Sequence, residues 1–167
     1  MPELASTTLT ESPDCCILSP PCLDRLTEFW RDAGALNERI ILSPRRSGEW
    51  GVTALNSHFQ QVQGTERDDL HYLEPGKGWI PWITSHNQRL KQGDPVLVTK
   101  NIYDDELDVR NGDLGVITEV FSTISPDECY GVARINGEVK GINQALLEVL
   151  DLGYAITIHK AQGSCLL

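Results

Sequence analysis

Cysteine is scarce and unpatterned: Cys15, Cys16, Cys22, Cys129 and Cys165 make an odd set with no C-x-x-C spacing, which argues against a disulfide framework and against a zinc site. His58, His71 and His86 have no cysteine or carboxylate at ligand spacing, so no metal is assigned. No apolar run approaches the roughly 18 residues that a membrane span needs. The opening MPELASTTLTESPDCC has neither a basic start nor an apolar block, which argues against a secretory signal; a reducing cytoplasm fits best. Basic residues are also in deficit, with 14 Lys and Arg against 24 Asp and Glu and a net charge of −10. Nucleic-acid affinity comes from neutralising phosphates, so any polyanion site here must be local. A phosphate loop is missing too. No G-x-x-x-x-G-K-[ST] occurs, and Gly76-Lys77 is followed by Gly78 with no glycine five residues earlier, so the chain has neither that cradle nor its Mg²⁺ ligand.

What remains is enough to fold. The chain has 167 residues, 40% of them apolar, which suffices for one modest domain or two small ones. Residues 1–21, rich in Ser, Thr and Pro, carry no periodicity and are expected to form a flexible arm. Leu23, Leu26, Phe29, Trp30 and Ala33 fall at helical spacing, with Gly34 as a stop. Arg39-Ile-Ile-Leu42 reads as a buried strand, and Val52, Leu55, Phe59 and Val62 mark a second helix. Strand, polar loop and helix in that order make the unit of an α/β layer. Residues 64–89 read as a connection. Beyond Gly93 the period becomes two: runs at 96–99, 114–121 and 130–135 are β-branched or aromatic. Asn111-Gly112 and Asn136-Gly137 suit type I′ turns, and the whole suggests a small antiparallel barrel. Gly153-Tyr-Ala-Ile-Thr-Ile158 is a further buried strand, and it runs into His159-Lys-Ala-Gln-Gly-Ser164. A polar, Gly-containing turn at the carboxyl end of such a strand is where α/β proteins place ligand contacts. Only three residues follow it, which suggests a fragment cut from a larger protein.

Tyr154-Ala-Ile-Thr-Ile-His-Lys-Ala-Gln-Gly-Ser164 resembles motif V of the RecD-like branch of superfamily-one DNA helicases, the exodeoxyribonuclease V alpha type. Gly93-Asp94-Pro-Val, Asn101-Ile-Tyr103 and Val109-Arg-Asn-Gly-Asp-Leu-Gly-Val116 resemble that branch's G-D-x-V…N-x-Y…V-x-N-G-D-x-G-x-V signature. Ile41-Leu-Ser-Pro-Arg-Arg-Ser-Gly48 and Gly51-Val-Thr-Ala-Leu-Asn56 look like its motif IV segment. The likeness covers residues 40–164 in order and is absent before 38. It implies an α/β fold: a partial RecA-like motor domain (2A), a parallel sheet with flanking helices, interrupted by a small antiparallel SH3-like β-barrel (2B). On that mapping residues 22–88 are the first part of 2A with its connection, 89–149 the barrel, and 150–167 the truncated return to 2A. The strands at 39–42 and 154–158 should then share a sheet.

The resemblance also implies roles. Arg46 would be the catalytic arginine, stabilising charge on a γ-phosphoryl group in transit, although Arg45-Arg46 equally suits a solvated surface pair. Gln162 and Gly163 would lie near the nucleotide, and Thr157, His159, Lys160 and Ser164 on the DNA backbone. Thr157 and His159, two apart on an emerging strand end, should face one way and donate to phosphates without reading bases. Asn101 and Tyr103 suit DNA contact or packing alike, Asn111-Gly112-Asp113 suits a hairpin turn, and Trp79 and Trp82 are candidate stacking surfaces for bases. The implied parent uses ATP and Mg²⁺, binds single-stranded DNA, generally moves 5′ to 3′, and needs its missing N-terminal motor domain; other exodeoxyribonuclease subunits are possible partners, and no membrane is. Motif VI would follow residue 167, and Cys165 stands where many relatives carry Glu. The isolated fragment is expected to be inactive and to bind no cofactor. Two rival readings stay open. One is a free-standing SH3-like module for peptide or nucleic acid, which leaves the HKAQGS turn unexplained. The other is a hydrolase using His159 or Cys165, which lacks an ordered carboxylate partner.

Overall fold

A computed structural model describes residues 11–12, 15–16, 22–34 and 39–163. The chain divides into two compact units, Met1–Arg39 and Ile40–Leu167.

In the first unit, β1 (Glu11–Ser12) pairs antiparallel with β2 (Cys15–Cys16), within the segment expected to be an arm. Helix α1 (Leu23–Asp32) follows and closes with the Ala33 amide donating to the Phe29 carbonyl. Its Trp30 is buried, with the Arg39 guanidinium 4.7 Å above the ring, a cation–π contact.

The second unit holds the rest. Strand β3 (Ile41–Ser43) leads through a polar loop to α2 (Val52–Gln63), whose Leu55 and Phe59 are buried as the apolar periodicity predicts. Far along the chain, β11 (Ala155–Thr157) lies parallel to β3, pairing Ala155 with Ile41 and Thr157 with Ser43. The strands expected at 39–42 and 154–158 therefore do share a sheet. A short helix, α4 (Ile158–Gly163), continues directly from β11.

Between them lies a five-stranded sheet in the order β10-β6-β7-β8-β9, antiparallel at every junction. Its members are β6 (Pro95–Val98), β7 (Leu114–Val120), β8 (Gly131–Ile135), β9 (Glu138–Gly141) and β10 (Leu150–Leu152). Val96, Val98, Ile117, Ala133 and Ile135 form its core with Leu146 and Leu147 of the short helix α3 (Gln144–Leu147). The outer strands β9 and β10 are not paired with each other, so the structure shows a parallel pair with helices plus an antiparallel sheet.

Two local features differ from the sequence expectations. Residues 64–89 hold an antiparallel hairpin, β4 (His71–Glu74) and β5 (Gly78–Pro81). Its polar tip hides the alternation, and aromatic packing supplies the stability: Tyr72 meets Trp82 edge-on at 5.0 Å, and Trp79 meets Tyr130 at 5.8 Å. Trp79 and Trp82 are thus both engaged in this cluster. Leu146–Leu152, which shows no period, divides between α3 and β10. Finally, Asn136 and Gly137 both take positive φ (49° and 81°), as a type I′ turn requires, whereas at Asn111-Gly112 only the glycine does (103°).

Candidate nucleotide and DNA-backbone site

The loop after β3 is built to hold its backbone still. Ser43 is buried, and its hydroxyl donates to the Trp50 carbonyl at 2.6 Å while accepting from the Arg45 amide at 3.2 Å. The first amides of α2 are satisfied by the same loop: Val52 donates to the Arg45 carbonyl and Thr53 to that of Arg46. Gly51 permits this closeness, since a Cβ there would lie 2.5 Å from the Ser47 carbonyl carbon. The Arg46 side chain is left exposed at the carboxyl edge of the parallel pair.

Thr157 reaches the same edge from β11. The strand ends at Thr157 and helix begins at Ile158, so the two-residue alternation no longer relates Thr157 to His159. The expected common facing fails for that reason. Thr157, at the end of β11, and Lys160, in the first turn of α4, come together instead. Both line a cleft of about 330 Å³ that Arg46 also lines, and His159 is exposed outside it. Burial, and secondly the charge of Arg46, hold the Lys160 ammonium below its ordinary pKa, with Asp151 pulling the other way. Lys160 Nζ donates to Oδ1 of Asn111, so the turn between β6 and β7 touches α4. Gln162 and Gly163 close α4, and Ser164 lies outside the described residues, as does Cys165.

The rest of the lining is mixed: Leu97, Leu152 and Ile156 are apolar and buried, and Thr53, Gln88, Thr99 and Lys100 bring polar groups. Asp151, the single carboxylate in the lining among the described residues, sits 3.1 Å from Nδ1 of His86. Cations and hydroxyls suit a phosphate. A lone, paired carboxylate does not suit Mg²⁺, and no cluster of metal-binding side chains occurs among the described residues. Nor is any helix among them long and apolar enough to cross a membrane.

Two groups that position the site were missed at the level of sequence. Asn56 is buried; its amide donates to the carbonyls of Leu152 and Ala155, and its oxygen accepts the Ala155 amide at 2.8 Å. It thereby fixes β11 to α2. Asp94 is fully buried and accepts from Tyr154 Oη (2.7 Å), Arg67 Nη1 (2.6 Å), Gln60 Nε2 (2.6 Å) and the Lys91 amide (2.8 Å). Asp94 and Asn56 stand inside the quoted motifs, which was the only signal; nothing in the spacing of Gln60 or Arg67 pointed to them.

No protein-family model matches the chain. Among curated proteins it is 31% identical to the ATP-dependent RecD2 DNA helicase of Deinococcus radiodurans over 84% of its own length and 17% of that protein. It is 32% identical to the RecBCD enzyme subunit RecD of Mycolicibacterium smegmatis, over 77% of this chain and 19% of that subunit. The chain thus spans less than a fifth of the curated relatives it matches. Among solved structures it is similar to a Pif1 helicase from Bacteroides, at 20% identity and a TM-score of 0.46 over 84% of this chain and 36% of that one. A second Pif1 structure, of two helicases coordinating at forked DNA, gives 21% identity and a TM-score of 0.43 over 86% of this chain and 35% of that one. Over most of its own length, therefore, the chain is similar to one segment of RecD-type DNA helicases.

Proposed function

We propose that these residues form part of the second motor domain of a cytoplasmic ATP-dependent DNA helicase acting in repair or recombination, translocating 5′ to 3′ on single-stranded DNA. Residues 22–88 and 150–167 are then the 2A portion, and the antiparallel sheet within 89–149 is the SH3-like 2B insertion. The observation that carries this reading is the parallel pairing of Ile41–Ser43 with Ala155–Thr157, which brings the Arg46 loop and the start of α4 to one edge. A free-standing adaptor has no use for that edge.

In the helicase reading, Thr157, His159, Lys160 and Ser164 contact the strand's phosphates, so binding is nearly indifferent to sequence. Arg46, Gln162 and Gly163 face the nucleotide. ATP supplies the driving hydrolysis, and Mg²⁺ is held by the other motor domain, since no ligand set for it occurs among the described residues. The 167 residues contain no phosphate loop, so alone they hydrolyse no ATP.

The test is the full-length parent. DNA-stimulated ATPase and strand unwinding by the parent, with neither from the 167 residues alone, are expected. Turnover by the 167-residue chain that survives repurification, or a parent with no DNA-dependent turnover, would overturn the reading.

A further inference from the structure

Asn101 and Asn111, both inside the quoted signature, are engaged with one another and, through Asn111, with α4. The loop that carries them from β6 to β7 is folded on itself: Ile102 and Val109 exchange backbone hydrogen bonds at 2.8 and 3.1 Å, and Leu107 and Val109 are buried. On that base each end of the Asn101 carboxamide finds a partner within the loop. Its Nδ2 donates to Tyr103 Oη at 2.8 Å, and its Oδ1 accepts the Asn111 amide at 2.7 Å. Asn111 in turn offers its own Oδ1 to Lys160 Nζ. Asn101 thus holds Asn111, and Asn111 reaches the helix.

The antiparallel sheet also grips the other end of the same segment. Asp94 accepts from Tyr154 Oη at 2.7 Å, and the Gly153 amide donates to the Pro95 carbonyl at 2.8 Å. Gly153 lies so close to β6 that a Cβ there would come within 2.9 Å of the Val96 carbonyl carbon. Strand β11 and the start of α4 are therefore bracketed. Residues at the start of β6 hold the entry at 153–154, and Asn111, before β7, holds the exit at Lys160. Thr157 stands between the two grips. Groups packed and paired this closely transmit a displacement instead of absorbing it.

We propose that Asn111 and Asp94 are positioning residues through which the antiparallel sheet sets the place of β11 and α4, so that a displacement of the sheet is felt at Thr157. The grips stand on the contacts alone; their consequence for turnover rests on the helicase reading, in which Thr157 and Lys160 meet the strand. In that reading the sheet tunes a strand contact without touching the strand at these two residues. A misplacement of about 1 Å by a residue remote from the chemistry can cost roughly 10²-fold, so a loosened grip has room to be seen.

Asn111 is exposed, so Asn111→Ala should keep the wild-type circular dichroism and melting point. Amide spectra of the 167-residue chain should show its effect beside the substitution and again in α4, 49 positions along the chain, with Ile117 and Ala133 of the sheet unmoved. Asn111→Asp keeps an oxygen acceptor for Lys160 and should return the α4 signals to their wild-type positions. Tyr154→Phe, which loosens the entry grip, should shift Ala155 to Thr157 instead. Signals of α4 that ignore Asn111→Ala, or that Asn111→Asp fails to restore, overturn the proposal. In the full-length parent, Asn111→Ala should raise the oligothymidylate concentration that half-saturates ATP turnover by about tenfold, with kcat at saturating DNA within about twofold of wild type and Asn111→Asp rescuing the former. An unchanged half-saturation beside shifted α4 signals overturns the link to Thr157 and leaves the helicase reading standing. A parent without DNA-dependent turnover sinks that reading, and the spectra of the 167-residue chain still decide the grips.

Discussion

Tyr154 and Asp94, sixty positions apart, are joined by a buried 2.7 Å hydrogen bond from the phenol to the carboxylate. The tyrosine precedes β11 and the aspartate precedes β6, so this contact ties the parallel pair to the antiparallel sheet. Arg67 completes the tie with an ion pair to the same carboxylate oxygen and a 3.2 Å hydrogen bond to the phenol.

Removing the carboxylate should cost more than removing the phenol hydroxyl. Asp94→Ala leaves Arg67, Gln60 and Tyr154 without their shared acceptor, which costs about 3–5 kcal/mol for a broken buried pair. Tyr154→Phe deletes one hydrogen bond and should cost about 1–3 kcal/mol. Urea unfolding measures both, and equal losses would show that the carboxylate is not the hub.

The same pair predicts a pH dependence. Burial, and then the charge of Asp94, raises the Tyr154 phenol above its ordinary value of 10.0. A group whose folded pKa is raised contributes stability that is complete below the unfolded pKa and is lost as pH climbs toward the folded one. The stability gap between wild type and Tyr154→Phe should therefore be constant from pH 7 to about 9 and shrink above about pH 10. A gap that widens with alkalinity would reverse the sign and refute the assignment.

Two glycine-to-alanine substitutions should fail for different reasons. At Gly137 a Cβ meets nothing within 4 Å, but φ is 81°, so Gly137→Ala should cost only the backbone penalty of about 1–2 kcal/mol. At Gly51 φ is an ordinary −78°, yet the new Cβ would meet the Ser47 carbonyl oxygen at 2.6 Å and that of Arg46 at 2.7 Å. Gly51→Ala must therefore push the loop aside. It should disturb the amide signals of Arg45 to Thr53, whereas Gly137→Ala should leave them unmoved; identical spectra for the two would mean the loop is not rigidly held.

The contrast also marks what was legible in the sequence. Helix α2 could be read because Leu55 and Phe59 repeat at helical spacing, and the turn at Asn136-Gly137 because its residue types nearly dictate the backbone. The hairpin at 71–81 escaped because its stability lies in Tyr72, Trp79, Trp82 and Tyr130 meeting across strands, which no local window contains. Parallel pairing of β3 with β11 has no local signature either; it became expected only through the family likeness. The Thr157 and His159 argument assumed that the strand ran on. Its period was right for a strand and wrong for the helix that begins one residue later.

Asn56 should behave as a structural hub whose loss is felt at the site. Asn56→Ala strands the Ala155 amide and removes the donor shared by the Leu152 and Ala155 carbonyls, a loss of about 3 kcal/mol for buried groups left unpaired. Exchange of the Ala155 amide with solvent should accelerate more than that of Ile117, which sits in the antiparallel sheet. Uniform acceleration would mean only a global loss of stability.

Arg46 and Thr157 line one cleft but should separate kinetically in the full-length parent. A guanidinium that stabilises charge on a phosphoryl group in transit acts on the chemical step, so Arg46→Ala should lower kcat by about 10³-fold or more with single-strand affinity nearly intact. A hydroxyl on the strand's backbone acts on binding. Thr157→Ala combined with His159→Ala should weaken single-strand binding equally for two unrelated oligonucleotides and loosen the DNA dependence of turnover, leaving the ATP requirement close to wild type. Steady-state ATPase at saturating DNA, beside binding titrations at two salt concentrations, distinguishes the roles. If Arg46→Ala instead weakens strand binding and spares kcat, the arginine acts on the phosphate of the strand, and the arginine finger must be sought elsewhere in the parent.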